Sequence, residues 1–182
     1  MTYAKNMLAC HVEPDLQLTW KEVEVPHWGE GVLLVRVHAT ALNRADLLQK
    51  RGKYPVPEGA SPVLGLEMAG TVEAVGPGVT GWKEGDRVAA LLPGGGYAQY
   101  AVIPADMAMP VPAGLTLEQA AALPEAYLTA YLNLFQLGTL GAGESVLIHA
   151  GASGVGTAAI QLARARGRES PPRPARRRNA SG

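Results

Sequence analysis

The sequence predicts an α+β chain in two parts, a β-rich first part and a helix-strand-helix second part of α/β type. Three observations carry this. The first hundred residues are short apolar runs broken by proline and glycine, the texture turns helical after Pro110, and Val146 to Ala165 (VLIHAGASGVGTAAIQLARA) reads as strand, glycine turn and helix. At 182 residues, 47% apolar and 18% charged, the chain has room for one or two small cores.

Strands are expected at 7–12, 18–25 and 32–41, the second alternating as Leu18 and Trp20, the third as Leu33, Val35, Val37 and Ala39. Asn43 stands where it can cap a short helix through Lys50, with Asp46 in its first turn and Gly52 just past its end. Three more strands follow at 68–75, 86–92 and 97–103, joined by VGPGVTGWKEG and PGGG. Short strands at this spacing suggest a barrel-like β domain.

Thr116 and Gln119 form a T-x-x-Q capping box ahead of Ala120 to Ala122. Pro124 then opens a longer helix, with Tyr127, Leu128, Tyr131, Leu132, Leu134 and Phe135 at helical spacing until Gly138; these are expected to be core. The domains are therefore placed at 1–123 and 124–165, with a basic tail at 166–182.

In the last helical unit, Val146, Leu147 and Ile148 are apolar enough for a strand buried on both faces of a parallel sheet. Gly151, Gly154 and Gly156 follow in G-x-x-G-x-G spacing, which lets a backbone approach a pyrophosphate and turns helix-start N–H groups toward it. Ser153 adds a hydroxyl from which a phosphate can accept, and Ala158, Ala159 and Leu162 form a small face for close packing. A glycine-rich connection without a ligand is the plain alternative.

Charge balances at 16 basic and 16 acidic residues, but from Arg164 onward there are seven arginines and one acid. The Pro/Arg-rich end has no apolar periodicity and is expected to be disordered, and without interleaved aromatics it is a poor nucleic-acid binder. Cys10 is the only cysteine, which excludes an internal disulfide and a multi-cysteine metal site. No run approaches the roughly 20 apolar residues of a membrane span, and the start MTYAKNMLACHV has no signal-like apolar core, so cytosol is the expected compartment. His11, His27, His38 and His149 lack partners at ligand spacing, and no Ser-His-Asp or Cys-His arrangement is present.

ALNRADLLQKRGKYPVPEGASPVLGLEMAGTVEAVGPGV, KEGDRVAALLPGGGYAQYAVIP, AAALPEAYLTAY and VLIHAGASGVGTAAIQLA occur in one order, and together they resemble the zinc-independent quinone oxidoreductase branch of the medium-chain dehydrogenase/reductase superfamily. The resemblance covers about residues 7–165. It implies a GroES-like β-barrel domain followed by a Rossmann domain, a doubly wound parallel sheet, with NADPH between them and a homodimer as the assembly. Gly65-Leu66-Glu67 stands where zinc-dependent relatives carry G-H-E, so no metal site is expected.

By the same resemblance, Asn43 and Tyr54 line the cleft near the nicotinamide, Thr129 approaches the cofactor, and Gly151, Ser153, Gly154, Val155 and Gly156 hold the pyrophosphate. For Asn43 a plain helix cap is the competing reading; for Tyr54, an exposed loop aromatic. The implied reaction is hydride transfer from NADPH to a quinone, whose product takes its protons from water. The resemblance stops within the first Rossmann helix, so the Rossmann domain is expected to be incomplete, and the chain poorly stable with little or no activity. Two alternatives stay open: an enoyl reductase using Tyr54 as proton donor, and a non-catalytic variant that binds intact subunits or is degraded.

Overall fold

A computed structural model describes residues 4–141 and 143–167. It divides between Glu125 and Ala126 into two compact units. The first holds strands β1 (Asn6–Val12), β2 (Leu18–Glu24), β3 (Val32–Thr40), β4 (Glu67–Val75), β5 (Arg87–Leu91), β6 (Tyr100–Pro104) and β7 (Met109–Pro110), with helices α1 (Arg44–Lys50) and α2 (Leu117–Ala121). β1 and β2 form an antiparallel hairpin; the other five make an antiparallel sheet in the order β6-β3-β4-β5-β7.

Alternation decides which faces meet. Leu33, Val35, Met68, Val72, Val88, Ala90, Ala101 and Ile103 are buried together as the main core, as a period of two requires when one face of each strand is turned inward. Fixed register follows from that burial, since a one-residue slip would turn the core residues outward. The sequence gives β7 no signal, because two residues are too short for periodicity.

The strand expected from Tyr97 begins at Tyr100 instead, and the reason is a change of partner. Cys10 N–H donates to Tyr97 O (2.8 Å) and Gln99 N–H to Leu8 O (3.0 Å), while β6 from Tyr100 pairs with β3. Residues 97–99 therefore turn the corner between the two sheets. The Gly94-Gly95-Gly96 run permits the turn: Gly94 and Gly95 have φ of 155° and 94°, and a Cβ on Gly96 would lie 2.8 Å from Glu67 O.

The second unit contains most of α3 (Pro124–Tyr131), a π-helical segment (Leu132–Leu137) and α4 (Gly154–Ala165). Two expectations are corrected here. The helix from Pro124 does not run as one α-helix to Gly138: Asn133 Nδ2 donates to Thr129 O (2.9 Å), drawing on a carbonyl of the helix ladder, and Gly138 N–H reaches Asn133 O (2.9 Å) in an i→i+5 bond. Nor are its apolar residues all core, for Leu128, Tyr131 and Leu132 are 40%, 38% and 43% exposed. The packing partner is α4, which covers only the stripe of Ala126, Tyr127, Ala130 and Leu134.

The expected strand at 146–148 is also corrected. Residues 144–148 have no strand partner among the described residues, and Leu147 is 66% exposed. A strand exists by pairing, so an apolar run with no neighbour leaves its backbone groups unladdered. Ile148 still packs beside Ala158 and Ala159 of α4. Of the basic end, Arg166 caps α4 and lies over the Phe135 ring at 5.2 Å; residues 168–182 fall outside the described residues.

The tightest backbone approach in the central sheet sits at Gly70, where a Cβ would press on Arg36 O of β3 and lie 2.9 Å from Arg36 C. Gly70→Ala should cost about 2–3 kcal/mol in chemical denaturation through forced strand separation. Gly114→Ala, with nothing within 4 Å of the added atom, should stay within about 0.5 kcal/mol of the parent.

Candidate functional site

The residues expected to carry chemistry fall into two groups, one in each unit. In the first, Asn43 occupies the N-cap of α1 with extended backbone (φ −118°, ψ 154°). Its N–H donates to Asp46 Oδ2 (2.7 Å), and its side-chain Nδ2 donates to Glu67 Oε1 (2.7 Å). Asp46 accepts further from the Tyr97 hydroxyl (2.8 Å) and from Gly65 N–H (3.3 Å). Glu67 accepts on Oε2 from Glu125 N–H (2.9 Å), in the first turn of α3.

Asp46 and Glu67 are 3% and 2% exposed. A carboxylate out of water is costly unless its oxygens find donors. Each of these has a donor on both oxygens, and none of the donors is a Lys or Arg side chain. Burial, then the bond to Asp46, pushes the Tyr97 phenol far above its ordinary range, which keeps its proton available to Asp46. Burial, then the charges of Glu67 and Asp46, also raises the Glu125 carboxyl.

Asn43 thus does cap α1, and its amide is simultaneously engaged with Glu67. Tyr54 lies in the loop after α1, 42% exposed, and no described hydrogen bond joins it to Asn43. A separate cavity of about 560 Å³, between the β1–β2 hairpin and β6, is lined by His11, His27, Ser61 and Tyr100 among others; neither Asn43 nor Tyr54 reaches it. No three His, Cys, Asp or Glu side chains converge on a metal-sized point among the described residues.

In the second unit, Ala150 has φ 51°, a left-handed conformation uncommon for a residue with a Cβ, and Ser153 N–H closes the turn on Ala150 O (2.8 Å). Ser153 then caps α4, its Oγ accepting from Gly156 N–H (3.0 Å). Gly156 is fixed by crowding: a Cβ there would press on Ala150 O and lie 2.8 Å from Gly151 Cα. Gly154 is different, with open space where its Cβ would be.

This turn fits a pyrophosphate. Gly154 and Val155 N–H precede the first intrahelical bond of α4, which runs from Thr157 N–H to Ser153 O (2.8 Å). The Ser153 hydroxyl, accepting from Gly156, keeps its own proton to donate. Thr129, half-buried on α3, has its carbonyl bonded to Asn133; α3 packs on α4 through Ala130 against Ala158 and Ala159.

Asp46, Glu67 and Tyr97 were legible only in part. Asp46 read as a helix first-turn acid, Glu67 as the last letter of a zinc motif without its histidine, and Tyr97 as a strand residue. A lone acid inside the apolar run VLGLEMAG was the available sign that Glu67 is buried.

Residues 29–113, all within the first unit, match the alcohol dehydrogenase GroES-like domain. Among related sequences, the phthioceranic/hydroxyphthioceranic acid synthase of Mycobacterium tuberculosis is 46% identical over 141 residues, 78% of this chain and 7% of the synthase. The human synaptic vesicle membrane protein VAT-1 homolog is 43% identical over 139 residues, 76% of this chain and 35% of that protein.

Solved structures of the medium-chain dehydrogenase/reductase superfamily share the fold. The quinone oxidoreductase of Coxiella burnetii has TM-score 0.80 at 31% identity, covering 91% of this chain and 56% of that one. Mycobacterial Rv1454c, solved with NADPH, has TM-score 0.78 at 36% identity, covering 90% and 52%. The CurK enoyl reductase has TM-score 0.79 at 31% identity, covering 91% and 52%. The chain thus spans little more than half the length of these structures.

The Glu125 carboxyl gives a pH test. Its folded pKa is raised above the ordinary value of 4.5, so the folded state binds more protons there, and stability must fall as pH rises from 4.5 through the folded pKa. Glu125→Gln should flatten that part of the curve, read from urea unfolding between pH 4 and 7.

Proposed function

We propose that the chain is an NADPH-dependent oxidoreductase of the zinc-independent quinone reductase type, nearest the p53-inducible quinone oxidoreductases. The observation that carries this is the glycine turn at 150–156, where a crowded Gly156, an open Gly154 and a capping Ser153 leave helix-start N–H groups for a phosphate. The NADPH solved with Rv1454c and the naming of the Coxiella burnetii protein as a quinone oxidoreductase support it. NADPH supplies the hydride; Gly151, Gly154, Val155, Gly156 and Ser153 hold its pyrophosphate, Thr129 lies against it, and Asn43 and Tyr54 orient the acceptor.

Activity of this chain by itself should be weak. The run ahead of the glycine turn has no strand partner among the described residues, so no sheet supports the turn from that side. A cytosolic homodimer completes the proposal; no helix among the described residues is long and apolar enough to cross a membrane.

The second reading is an enoyl reductase. It is favoured by the fold shared with CurK enoyl reductase, and Tyr54, 42% exposed in its loop, would serve as proton donor. The third is a non-catalytic variant that binds intact subunits or is degraded.

NADPH oxidation with a benzoquinone or with an enoyl thioester separates these. The proposal expects slow turnover with the quinone, lowered only about 3- to 5-fold in Tyr54→Phe, which loses one contact to the acceptor but no proton donor. Turnover confined to the thioester and lowered about 100-fold by Tyr54→Phe would establish the enoyl reductase. No turnover with either would contradict both enzyme readings and leave the non-catalytic variant.

A further inference from the structure

We infer that Glu67 is a positioning residue: its buried carboxylate holds the Asn43 amide in one of its two orientations, so that Asn43 offers an N–H donor to an acceptor oxygen of the bound molecule. The inference rests on the reading above that Asn43 contacts NADPH or its acceptor.

The two ends of an asparagine amide have nearly the same shape and opposite hydrogen-bonding roles, so its orientation is set by what surrounds it. Here Nδ2 faces Glu67 Oε1 at 2.7 Å. Turning the amide over would place Oδ1 against that oxygen, two acceptors with no proton between them. The carboxylate cannot readily swing away either. Its other oxygen takes Glu125 N–H (2.9 Å), and the Glu67 carbonyl takes the Thr40 hydroxyl (2.6 Å).

The opposite side of Asn43 is fixed as well. Its N–H is bonded to Asp46 Oδ2 (2.7 Å), and the Asp46 N–H reaches back to the Asn43 main-chain carbonyl (3.2 Å) at the start of α1. Asp46 is held in turn by Tyr97 and Gly65. With one Nδ2 hydrogen on Glu67 Oε1, the second Nδ2 hydrogen is left to donate. A single donor at a fixed place suits a carbonyl oxygen, as on a quinone or a nicotinamide carboxamide.

A glutamine at 67 keeps the volume, but with its oxygen on the Glu125 N–H its own NH2 faces Asn43, which favours the turned-over amide and takes Nδ2 off residue 67. Two readouts test this on the full chain. The first is the Asn43 side-chain amide in a ¹H–¹⁵N spectrum, assigned with Asn43→Ala. In the parent, proton exchange there should be about tenfold slower than at exposed asparagines, as a bond to a buried carboxylate requires; in Glu67→Gln that protection should be lost while cooperative melting is retained. The second is NADPH affinity in a double-mutant cycle. Glu67→Gln and Asn43→Ala should each weaken binding about 3- to 10-fold, and the double variant no more than either.

Equal Asn43 protection in parent and Glu67→Gln, or effects on affinity that multiply, would overturn the inference. If Glu67→Gln does not melt cooperatively, Glu67→Asp, which withdraws the carboxylate by one methylene, is read the same way. A parent chain that binds no NADPH contradicts the proposed function, while the amide readout still decides whether Glu67 orients Asn43.

Discussion

Two buried carboxylates shape the first unit's candidate site. Asp46 and Glu67 lie where a strand, a helix start and a loop meet, and each is satisfied by N–H and O–H groups from chain segments far apart in sequence: Asn43, Gly65, Tyr97 and Glu125. An uncompensated buried carboxylate would be severely destabilising, so these segments must arrive together. The capped helix α1, the Gly94–Gly96 corner and the first turn of α3 are thereby coupled to one pair of side chains.

This explains why Asn43 has two roles at once. A capping residue on a free helix start would have a solvated amide; here Glu67 takes Nδ2, and the cap becomes a fixed polar group. The second unit follows another logic. Its glycine turn is set by close packing of backbone on backbone at Gly156 and by the Ser153 cap, with no buried charge involved. In both places a helix start is pinned, by carboxylates at α1 and by crowding at α4.

The legible parts of the chain were those governed by local rules. Strands β1 to β5, the caps at Asn43 and Thr116, and α4 all announce themselves through alternation, capping residues or glycine. What the sequence hid was non-local. Tyr97 looks like a strand residue until its partner is seen to be β1, and the break after Tyr131 needs the Asn133 amide on Thr129 O. Val146–Ile148 has the composition of a buried strand, yet pairing depends on a neighbour that composition cannot supply. The exposed Leu128, Tyr131 and Leu132 show the same limit, since helical spacing marks an apolar face without saying what covers it.

The proposed NADPH site stands or falls with pyrophosphate binding at the turn 150–156. Titration of ¹⁵N-labelled chain with NADPH tests it most directly, because Gly154, Val155 and Gly156 each report through their own amide. Saturable shifts should concentrate at these three residues and be abolished by Gly156→Ala, while resonances of the first unit's core strands keep their positions. Saturable binding that leaves these amides unmoved, or an NADPH titration with no saturable shift anywhere, would contradict it.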